Sequence, residues 1–160
     1  MTYTHINFDD VAANTTPNIP EGFRPVKVGG PFVFHSGPLY GKWTGQRLLM
    51  GFRVEERHTN PLKMCHGGML ASFADMLLPV TIHRRLHDQP RRFLPTISLQ
   101  LDYMAPAPLG AWVQGEAQVL RSTLTMVFAQ GLITADGKLA VRVSGTFKIG
   151  KLLSELTPRP

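Results

Sequence analysis

The segment from Asn60 to Asp75 reads NPLKMCHGGMLASFAD and continues as an apolar run to Ile82. Large apolar side chains recur in this run at the spacing of one helix face: Met69, Leu70, Phe73, Met76, Leu77 and Val80. From Gly67 to Ile82 the only ionisable side chain is Asp75. The other residues on the helix face that carries Asp75 are also small or apolar. The segment therefore predicts a helix that is buried nearly all round. A carboxylate in such a helix must either pair locally or take part in chemistry.

The sequence also marks the ends of this helix. Asn60-Pro61 interrupts regular structure, so residues 60–66 should form a loop that leads onto a helix beginning at Gly67-Gly68. Pro79 removes one backbone hydrogen bond and crowds the preceding turn. We expect it to kink the helix near Asp75 or to end it early.

The rest of the chain predicts one α+β domain. After a basic connector at 83–95 the hydrophobic period changes to two, which is typical of antiparallel strands with one wet face. Strands are predicted at 48–57, 96–104, 112–120, 124–134 and 138–149, with a hairpin at Asp136-Gly137 and short extended pieces between Pro31 and Trp43. The expected fold is a curved antiparallel sheet of five to six strands with one long helix on its apolar face. We expect an irregular N-terminal arm at 1–30, the domain at 31–150 and a C-terminal tail at 151–160.

Composition excludes several classes of protein. The single cysteine, Cys65, rules out an intrachain disulfide framework and a multi-cysteine zinc site. No uncharged apolar segment reaches the length of a membrane span and no secretory signal is visible, so we expect a cytoplasmic protein. The net charge is +6, and the one dense basic patch lies at 83–92, HRRLHDQPRR. Such a patch could attract nucleic acid or a phosphorylated small ligand, and the alternative is a solvated loop. We expect no nucleic-acid partner, no membrane and no bound metal.

The start of the helix has the groups that an oxyanion needs. Gly67 and Gly68 would expose backbone N–H groups at the positive end of the helix dipole, and without Cβ atoms they allow close approach. A glycine pair used only for a tight turn is the alternative. Asp75 lies seven residues beyond Gly68, roughly 10 Å along the axis, which is too far for both to act on one carbonyl. A second copy packed antiparallel would bring Asp75 of one subunit to Gly67 of the other, so we expect a homodimer.

These residues resemble a known family. Asn60, then His66-Gly67-Gly68, then Asp75, with YMAPAPLG at 103–110 closing the next strand, is similar to the hotdog-fold acyl-CoA thioesterases of the phenylacetate-pathway (PaaI-like) type. The resemblance covers about 48–149 and implies a long central helix wrapped by an antiparallel sheet. It further implies hydrolysis of an acyl-CoA thioester to a free acid and coenzyme A, in dimers that often pair into tetramers. No cofactor is implied beyond the coenzyme A of the substrate.

The same resemblance implies a role for each site residue. Gly67 N–H would polarise the thioester carbonyl with help from Asn60, while His66 lines the site and Asp75 acts as general base or nucleophile. Thr96 would orient the attacking water. Contacts with the substrate, including the phosphates of coenzyme A, are expected from the following residues: Gly68, Lys63, Arg84, Arg85, Arg91 and Arg92.

Some features leave alternatives open. Many relatives have glycine where this chain has Lys63, so either the loop runs differently or Lys63 points toward the ligand. An acyl-thioester dehydratase of the same fold and a non-catalytic acyl-CoA sensor are the alternative functions. Cys65 is more typical of buried filler than of a nucleophile. His83 and His87 lack further ligands at metal spacing.

Overall fold

The computed structural model describes residues 18–156, so residues 1–17 of the expected arm and residues 157–160 of the expected tail lie outside it. Two α-helices and seven strands follow one another along the described chain: β1 (Arg24–Val26), α1 (Gly30–Ser36), β2 (Leu39–Trp43), β3 (Leu48–Arg53), α2 (Gly67–Arg85), β4 (Thr96–Tyr103), β5 (Trp112–Ser122), β6 (Met126–Ala135) and β7 (Lys138–Lys148). Short 3₁₀ turns occupy Glu56–His58 and Leu153–Glu155.

The strands form one curved antiparallel sheet in the order β1-β2-β3-β5-β6-β7-β4. The prediction of one long central helix on an antiparallel sheet is confirmed, but the sheet has seven strands rather than five to six. Strand β1 lies inside the expected irregular arm and pairs with β2. Because β1 has only three residues, it offers no alternation for a sequence pattern to detect.

Helix α1 occupies a segment where a short strand was expected. Pro31 lies in its first turn, where no backbone donor is needed, and Gly29 caps it in the left-handed conformation with φ of 78°. Its buried residue is Val33, which joins the core. A helix of seven residues is too short to show a helical period, so the apolar triplet at 32–34 was mistaken for a strand.

Helix α2 runs for 19 residues and packs closely on the sheet. Two glycines of the sheet allow this approach: a Cβ at Gly115 would come within 2.5 Å of the Leu77 side chain, and one at Gly145 within 2.8 Å of Leu78. The apolar side of α2 fills the centre of the core. The residues it buries are Leu70, Phe73, Ala74, Leu77, Leu78, Val80, Thr81 and Ile82.

Pro79 does not end the helix, which continues to Arg85. The expectation of an early end is therefore wrong. Proline lacks the N–H that would bond the Asp75 carbonyl, and it costs an interior turn about 3 kcal/mol. Burial of a large apolar side chain contributes about 1.5–3 kcal/mol, and Leu77, Leu78 and Ile82 are each 0% exposed. Tertiary packing on both sides of the proline thus outweighs its local cost.

The segment after the sheet is tied to the basic connector. Phe93 N–H donates to the Lys151 carbonyl at 2.8 Å, and Gly150 N–H donates to the Phe93 carbonyl at 2.8 Å. Arg92 and Leu152 form an isolated antiparallel bridge. The first residues of the expected tail therefore pair with the segment that leads into β4.

Candidate active site

The N-terminus of α2 presents one open backbone donor. His66 is the N-cap residue, and its Nδ1 accepts the Gly68 N–H at 2.9 Å. The N–H groups of Met69 and Leu70 donate to the His66 carbonyl at 2.9 and 3.2 Å. Within residues 18–156, Gly67 N–H has no hydrogen-bond partner. The expectation that both glycines offer a free amide is therefore wrong, because the histidine cap occupies the second one.

The loop before the helix is organised by Asn60. Its side-chain Oδ1 accepts the N–H groups of Leu62 at 2.9 Å and Met64 at 3.2 Å. Its backbone N–H donates to the Met64 carbonyl at 2.8 Å. The side-chain oxygen is thus committed to the loop, and only the amide Nδ2–H₂ group is left to meet a ligand.

Lys63 adopts the left-handed conformation that suits glycine. Its φ is 59°, a conformation that costs a side chain of this kind about 1–2 kcal/mol. Two backbone bonds hold the turn: Lys63 N–H donates to the Asn60 carbonyl at 3.0 Å, and Leu109 N–H donates to the Lys63 carbonyl at 2.9 Å. The ammonium group pairs with Glu56. The loop therefore keeps a glycine-like backbone, while the lysine side chain is engaged with a neighbouring carboxylate.

A buried histidine fixes the position of this loop. His58 is 4% exposed, and its Nδ1 accepts the Glu55 N–H at 3.0 Å while its Nε2 contacts the Ser36 carbonyl at 2.8 Å. Burial lowers the pKa of His58, and Arg57 acts in the same direction. The His58 carbonyl accepts the His66 N–H at 2.7 Å. His58 thus links α1 to the N-cap of α2, a role that no sequence pattern indicated.

Tyr103, at the end of β4, reaches the same helix terminus. Its hydroxyl donates to the Gly67 carbonyl at 2.8 Å. Its ring lies 3.5 Å from the position that a Cβ of Gly67 would take. The sequence indicates Tyr103 only as the start of the turn at 103–110 and does not predict it as a site residue.

Asp75 lies in a second cluster, together with Thr96. The Thr96 hydroxyl donates to Asp75 Oδ1 at 2.7 Å. The structure thus brings these two sequence-predicted residues into contact. Asp75 is half-buried rather than sunk in the core. It shares a partly open face of α2 with Gly68, Ser72 and Pro79, so the expectation of a helix buried all round is wrong for the single chain.

A β-bulge aims Thr96 at the helix. Strand β4 pairs Ser98 with Thr146 and Thr96 with Phe147, so three residues of β4 oppose two of β7. Phe147 is 0% exposed and belongs to the core, and its partner Thr96 therefore faces the helix side of the sheet. Plain alternation along a strand at 96–104 would place Thr96 with Ser98 on the opposite face. The extra residue reverses this, as bulges next to functional sites commonly do.

The chain therefore carries two separate half-sites. One consists of Asn60, His66, Gly67 and Tyr103 at the helix N-terminus, and the other consists of Asp75 and Thr96. Asp75 lies eight residues after Gly67, which corresponds to about 12 Å along the axis. A carbonyl bound to Gly67 N–H and a water activated by Asp75 must lie within about 3.5 Å of each other. The two half-sites of one chain are too far apart to act together.

The arginines expected to bind phosphate fall into two groups. Arg84 and Arg85, at the end of α2, line a cavity of about 1140 Å³ that also includes Trp43, Arg47 and His87. The Arg84 guanidinium lies over the Trp43 ring at 4.5 Å. Arg91 and Arg92 are not among the residues that line it. Burial lowers the pKa of Arg91, with repulsion from Arg84 as the smaller cause, and Arg92 donates to the Gly150 carbonyl at 3.2 Å.

The remaining titratable groups near α2 have local partners. Cys65 is buried, and burial raises the pKa of its thiol to about 12, which disfavours the thiolate that a nucleophile requires. His83 contacts the Arg92 carbonyl at 2.8 Å through Nε2, and His87 lies 3.1 Å from Asp88. Among residues 18–156 no group of three or more His, Cys, Asp or Glu side chains is placed to hold a metal ion. In the same part of the chain, no helix has the length and apolar character needed to cross a membrane.

Comparison with known proteins places this architecture in a family. A family model described as the thioesterase superfamily matches residues 62–141, half of the chain. The chain belongs to the thioesterase superfamily. The matched segment contains the helix N-terminus, Asp75, Thr96 and Tyr103, and thus most of both half-sites. The hotdog fold expected from the sequence is confirmed.

Individual relatives of this thioesterase superfamily member align with most of this chain. A Pseudomonas aeruginosa protein that carries an esterase name is 29% identical over 82% of this chain and 98% of its own. Mouse acyl-coenzyme A thioesterase 13 is 28% identical over 66% of this chain and 74% of its own. The crystal structure of a phenylacetic acid degradation-related protein from Ralstonia eutropha, 22% identical, superposes with a TM-score of 0.65 over 76% of this chain and 92% of that one. The last likeness concerns the fold alone.

Proposed function

We propose that this protein hydrolyses acyl-CoA thioesters to a free acid and coenzyme A, in a site shared by two subunits. The observation that carries the proposal is the pair of half-sites: one open amide at a helix N-terminus, and one carboxylate bonded to a threonine hydroxyl. These are the electrophilic donor and the base that acyl transfer to water requires. Similarity to acyl-coenzyme A thioesterase 13 supports acyl-CoA as the substrate class.

In this mechanism the thioester carbonyl oxygen accepts the Gly67 N–H, and the Asn60 amide group assists. The positive end of the helix dipole stabilises the negative charge that develops on that oxygen. Asp75 of the partner subunit takes a proton from water as the water oxygen bonds to the carbonyl carbon. The tetrahedral intermediate then collapses, the carbon–sulfur bond breaks, and the coenzyme A thiolate takes up a proton. Direct attack by the Asp75 carboxylate, with hydrolysis of the resulting anhydride, uses the same groups.

The Thr96 hydroxyl has a defined part in the water-activated route. It donates its only proton to Asp75 Oδ1, so its lone pairs remain to accept a hydrogen bond from the water. The water would then donate one hydrogen to Thr96 and the other to Asp75. Its oxygen lone pair is thereby directed away from both groups and toward the carbonyl carbon.

The proposed homodimer follows from the distance between the half-sites and from surfaces that a single chain leaves open. Strand β4 is an edge strand, and its exposed apolar side chains include Ile97 at 57% and Tyr103 at 53%. Edges of this kind are prone to pair with another strand. The open face of α2 is made of small or short side chains, which would allow a second helix to approach. Pairing of two such dimers into a tetramer is a further expectation.

Coenzyme A is proposed to place its phosphates near Arg84 and Arg85. These two residues line the cavity at the end of α2, and Arg91 and Arg92 do not. Guanidinium groups bind phosphate oxygens through paired hydrogen bonds. Lys63, paired with Glu56, is the less suitable candidate.

The first test is release of free thiol from a panel of acyl-CoA thioesters, from short aliphatic through aromatic to long chain. Asp75→Asn should lose most of the turnover and stay folded, because the amide cannot accept the proton. The matched control is Glu21→Gln, which makes the same carboxylate-to-amide change at an exposed turn before β1, outside both half-sites and outside the cavity at the end of α2. Unchanged turnover in Asp75→Asn would contradict the mechanism. Binding of acyl-CoA without thiol release would instead indicate a sensor, and formation of an unsaturated thioester would indicate a dehydratase.

The shared site has its own test, which uses two inactive variants. In a mixed dimer of Asp75→Asn and Gly67→Pro, one of the two sites combines an intact Gly67 with an intact Asp75. Random exchange makes half of the dimers mixed, so about a quarter of the wild-type activity should return. Light scattering should show a dimer or a larger assembly. An active monomer, or no recovery on mixing, would refute the shared site.

A further inference from the structure

The peptide unit between Gly67 and Gly68 is held at both of its polar ends. Its carbonyl oxygen accepts the Tyr103 hydroxyl at 2.8 Å, and its N–H donates to His66 Nδ1 at 2.9 Å. The hydroxyl, the peptide and the imidazole therefore form one chain of hydrogen bonds. Bonds in such a chain polarise and strengthen one another. Tyr103 comes from a strand 36 residues away in sequence, so the contact is a tertiary one.

A helix that begins with two glycines needs external support. Glycine disfavours the helix relative to alanine, because its backbone has more freedom to lose. The first turn also has the fewest internal hydrogen bonds. Without the tyrosine and histidine contacts, the Gly67-Gly68 peptide would be held by the helix alone, and the direction of the neighbouring Gly67 N–H would be less tightly fixed. An oxyanion donor contributes fully only when its direction is set before the reaction.

The same chain of hydrogen bonds also determines which nitrogen of the His66 ring carries the proton. Because Nδ1 accepts a hydrogen bond, it carries no proton, and the proton of the neutral ring lies on Nε2. The ring is exposed, and Nε2 has no partner among residues 18–156. The Nε2–H group is therefore available beside the open Gly67 amide.

We propose that Tyr103 is a positioning residue, which clamps the Gly67-Gly68 peptide and thereby holds Gly67 N–H and the His66 ring in the geometry that receives the substrate carbonyl. The inference rests on the proposed hydrolase function. Tyr103 acts through the peptide and does not touch the reacting atoms. Its backbone is anchored by pairing with Val141 of β7, so the hydroxyl is delivered from the sheet. A phenol with an ordinary pKa near 10 keeps its donor proton at neutral pH, and partial burial raises the pKa of Tyr103 further, with Cys65 as the smaller cause.

The test compares two variants, each of which loses one hydroxyl that donates to a carbonyl in the first turn of α2. Tyr103→Phe keeps the ring against Gly67 and removes the donor to its carbonyl. Ser72→Ala is the control, because the Ser72 hydroxyl donates to the adjacent Gly68 carbonyl, also at 2.8 Å. A net hydrogen bond contributes about 1 kcal/mol, which corresponds to about fivefold in rate, so Tyr103→Phe should lower kcat by about fivefold with little change in KM. Ser72→Ala should stay within about twofold of wild type. Equal kcat values in the two variants would overturn the proposal.

Two further measurements separate positioning from general loss of structure. If both residues act through one peptide, Tyr103→Phe combined with His66→Ala should lose little more kcat than the worse single variant; additive losses would refute the clamp. Nitrogen-15 NMR of the His66 ring should show the Nε2–H tautomer in the wild type and a mixture in Tyr103→Phe. This readout needs no substrate, so it tests Tyr103 even if no acyl-CoA is hydrolysed. An unchanged tautomer in the variant would contradict the proposal.

Discussion

Replacing Gly67 by proline should remove the oxyanion donor and leave the fold intact. Proline lacks a backbone N–H, and the Gly67 N–H makes no hydrogen bond within the described chain, so none is lost on substitution. Gly67 is the first residue of α2, the helix position that favours proline. The preceding His66 has φ of −63° and ψ of 137°, an extended conformation that a residue before proline readily adopts.

The expected effects of Gly67→Pro on stability and on turnover differ in size. A Cβ at residue 67 would lie 3.5 Å from the Tyr103 ring, which is ordinary contact. Proline further restricts the unfolded chain, and at a compatible position this stabilises a protein by about 0.4–1 kcal/mol. Loss of one oxyanion donor lowers kcat by about 10²- to 10³-fold. We therefore expect an inactive variant whose free energy of unfolding is equal to or slightly above that of the wild type.

The matched variant is Gly67→Ala, which adds a Cβ at the same place and retains the N–H group. Both variants would be compared by urea unfolding and by thiol release from the best acyl-CoA of the panel. The alanine variant should keep substantially more activity than the proline variant. If Gly67→Pro turns over substrate as fast as Gly67→Ala, Gly67 N–H is not the oxyanion donor. If it unfolds, the assignment of a free amide at the first position of α2 is wrong.

Two further predictions concern Thr96 and Cys65. Thr96→Val removes the hydroxyl that donates to Asp75 and should lower kcat by about tenfold. This is the lower end of the range for a hydrogen bond to a charged group, and we expect the lower end because the site is exposed in the single chain. Thr96→Ser, which keeps the hydroxyl, should retain most of the activity, and equal kcat values for the two variants would exclude the role. For Cys65, burial raises the pKa of the thiol from 9.0 to about 12. As the pH rises, the unfolded chain therefore loses the thiol proton before the folded chain does. The contribution of this thiol to the free energy of unfolding should fall as the pH rises from about 9 to 12. The free energy of unfolding, measured in urea, should be higher for the wild type than for Cys65→Ala, and the difference between them should become smaller across that pH range. A difference that does not change with pH would contradict this prediction.

The parts of the fold that could be predicted are those with long, regular patterns. The apolar stripe of α2 and the alternation of β7 extend over many residues, so local exceptions do not obscure them. The sequence overstates the effect of Pro79 on the helix. The local cost of a proline can be read from the sequence, whereas the packing of Leu77 and Leu78 that offsets this cost cannot. Helix α1 and strand β1 were missed for the opposite reason: each is too short to repeat a pattern.

The sequence names residues for the candidate site but gives no information on their contacts. Gly67, Asp75 and Thr96 lie where chemistry can use them, yet the sequence could not show that His66 caps Gly68, since a histidine side chain has several possible partners. The bulge before Ser98 was also invisible, because one extra residue in a strand leaves the composition unchanged. Tyr103 contacts Gly67 only after the chain has folded back through β4. Hydrogen-bond partners brought together by tertiary structure were the missing information.

Strand β4 connects the two half-sites. Its first residue, Thr96, bonds to Asp75, and its last residue, Tyr103, bonds to the Gly67 carbonyl. The outer side of β4 is the edge of the sheet, where a second copy is proposed to pair. Each residue along a strand advances about 3.3 Å, so a register slip of two residues would move Asp75 by about 7 Å relative to Gly67 of the partner subunit. That displacement exceeds the reach of a bound water, and the register of β4 would therefore decide whether the shared site is assembled at all.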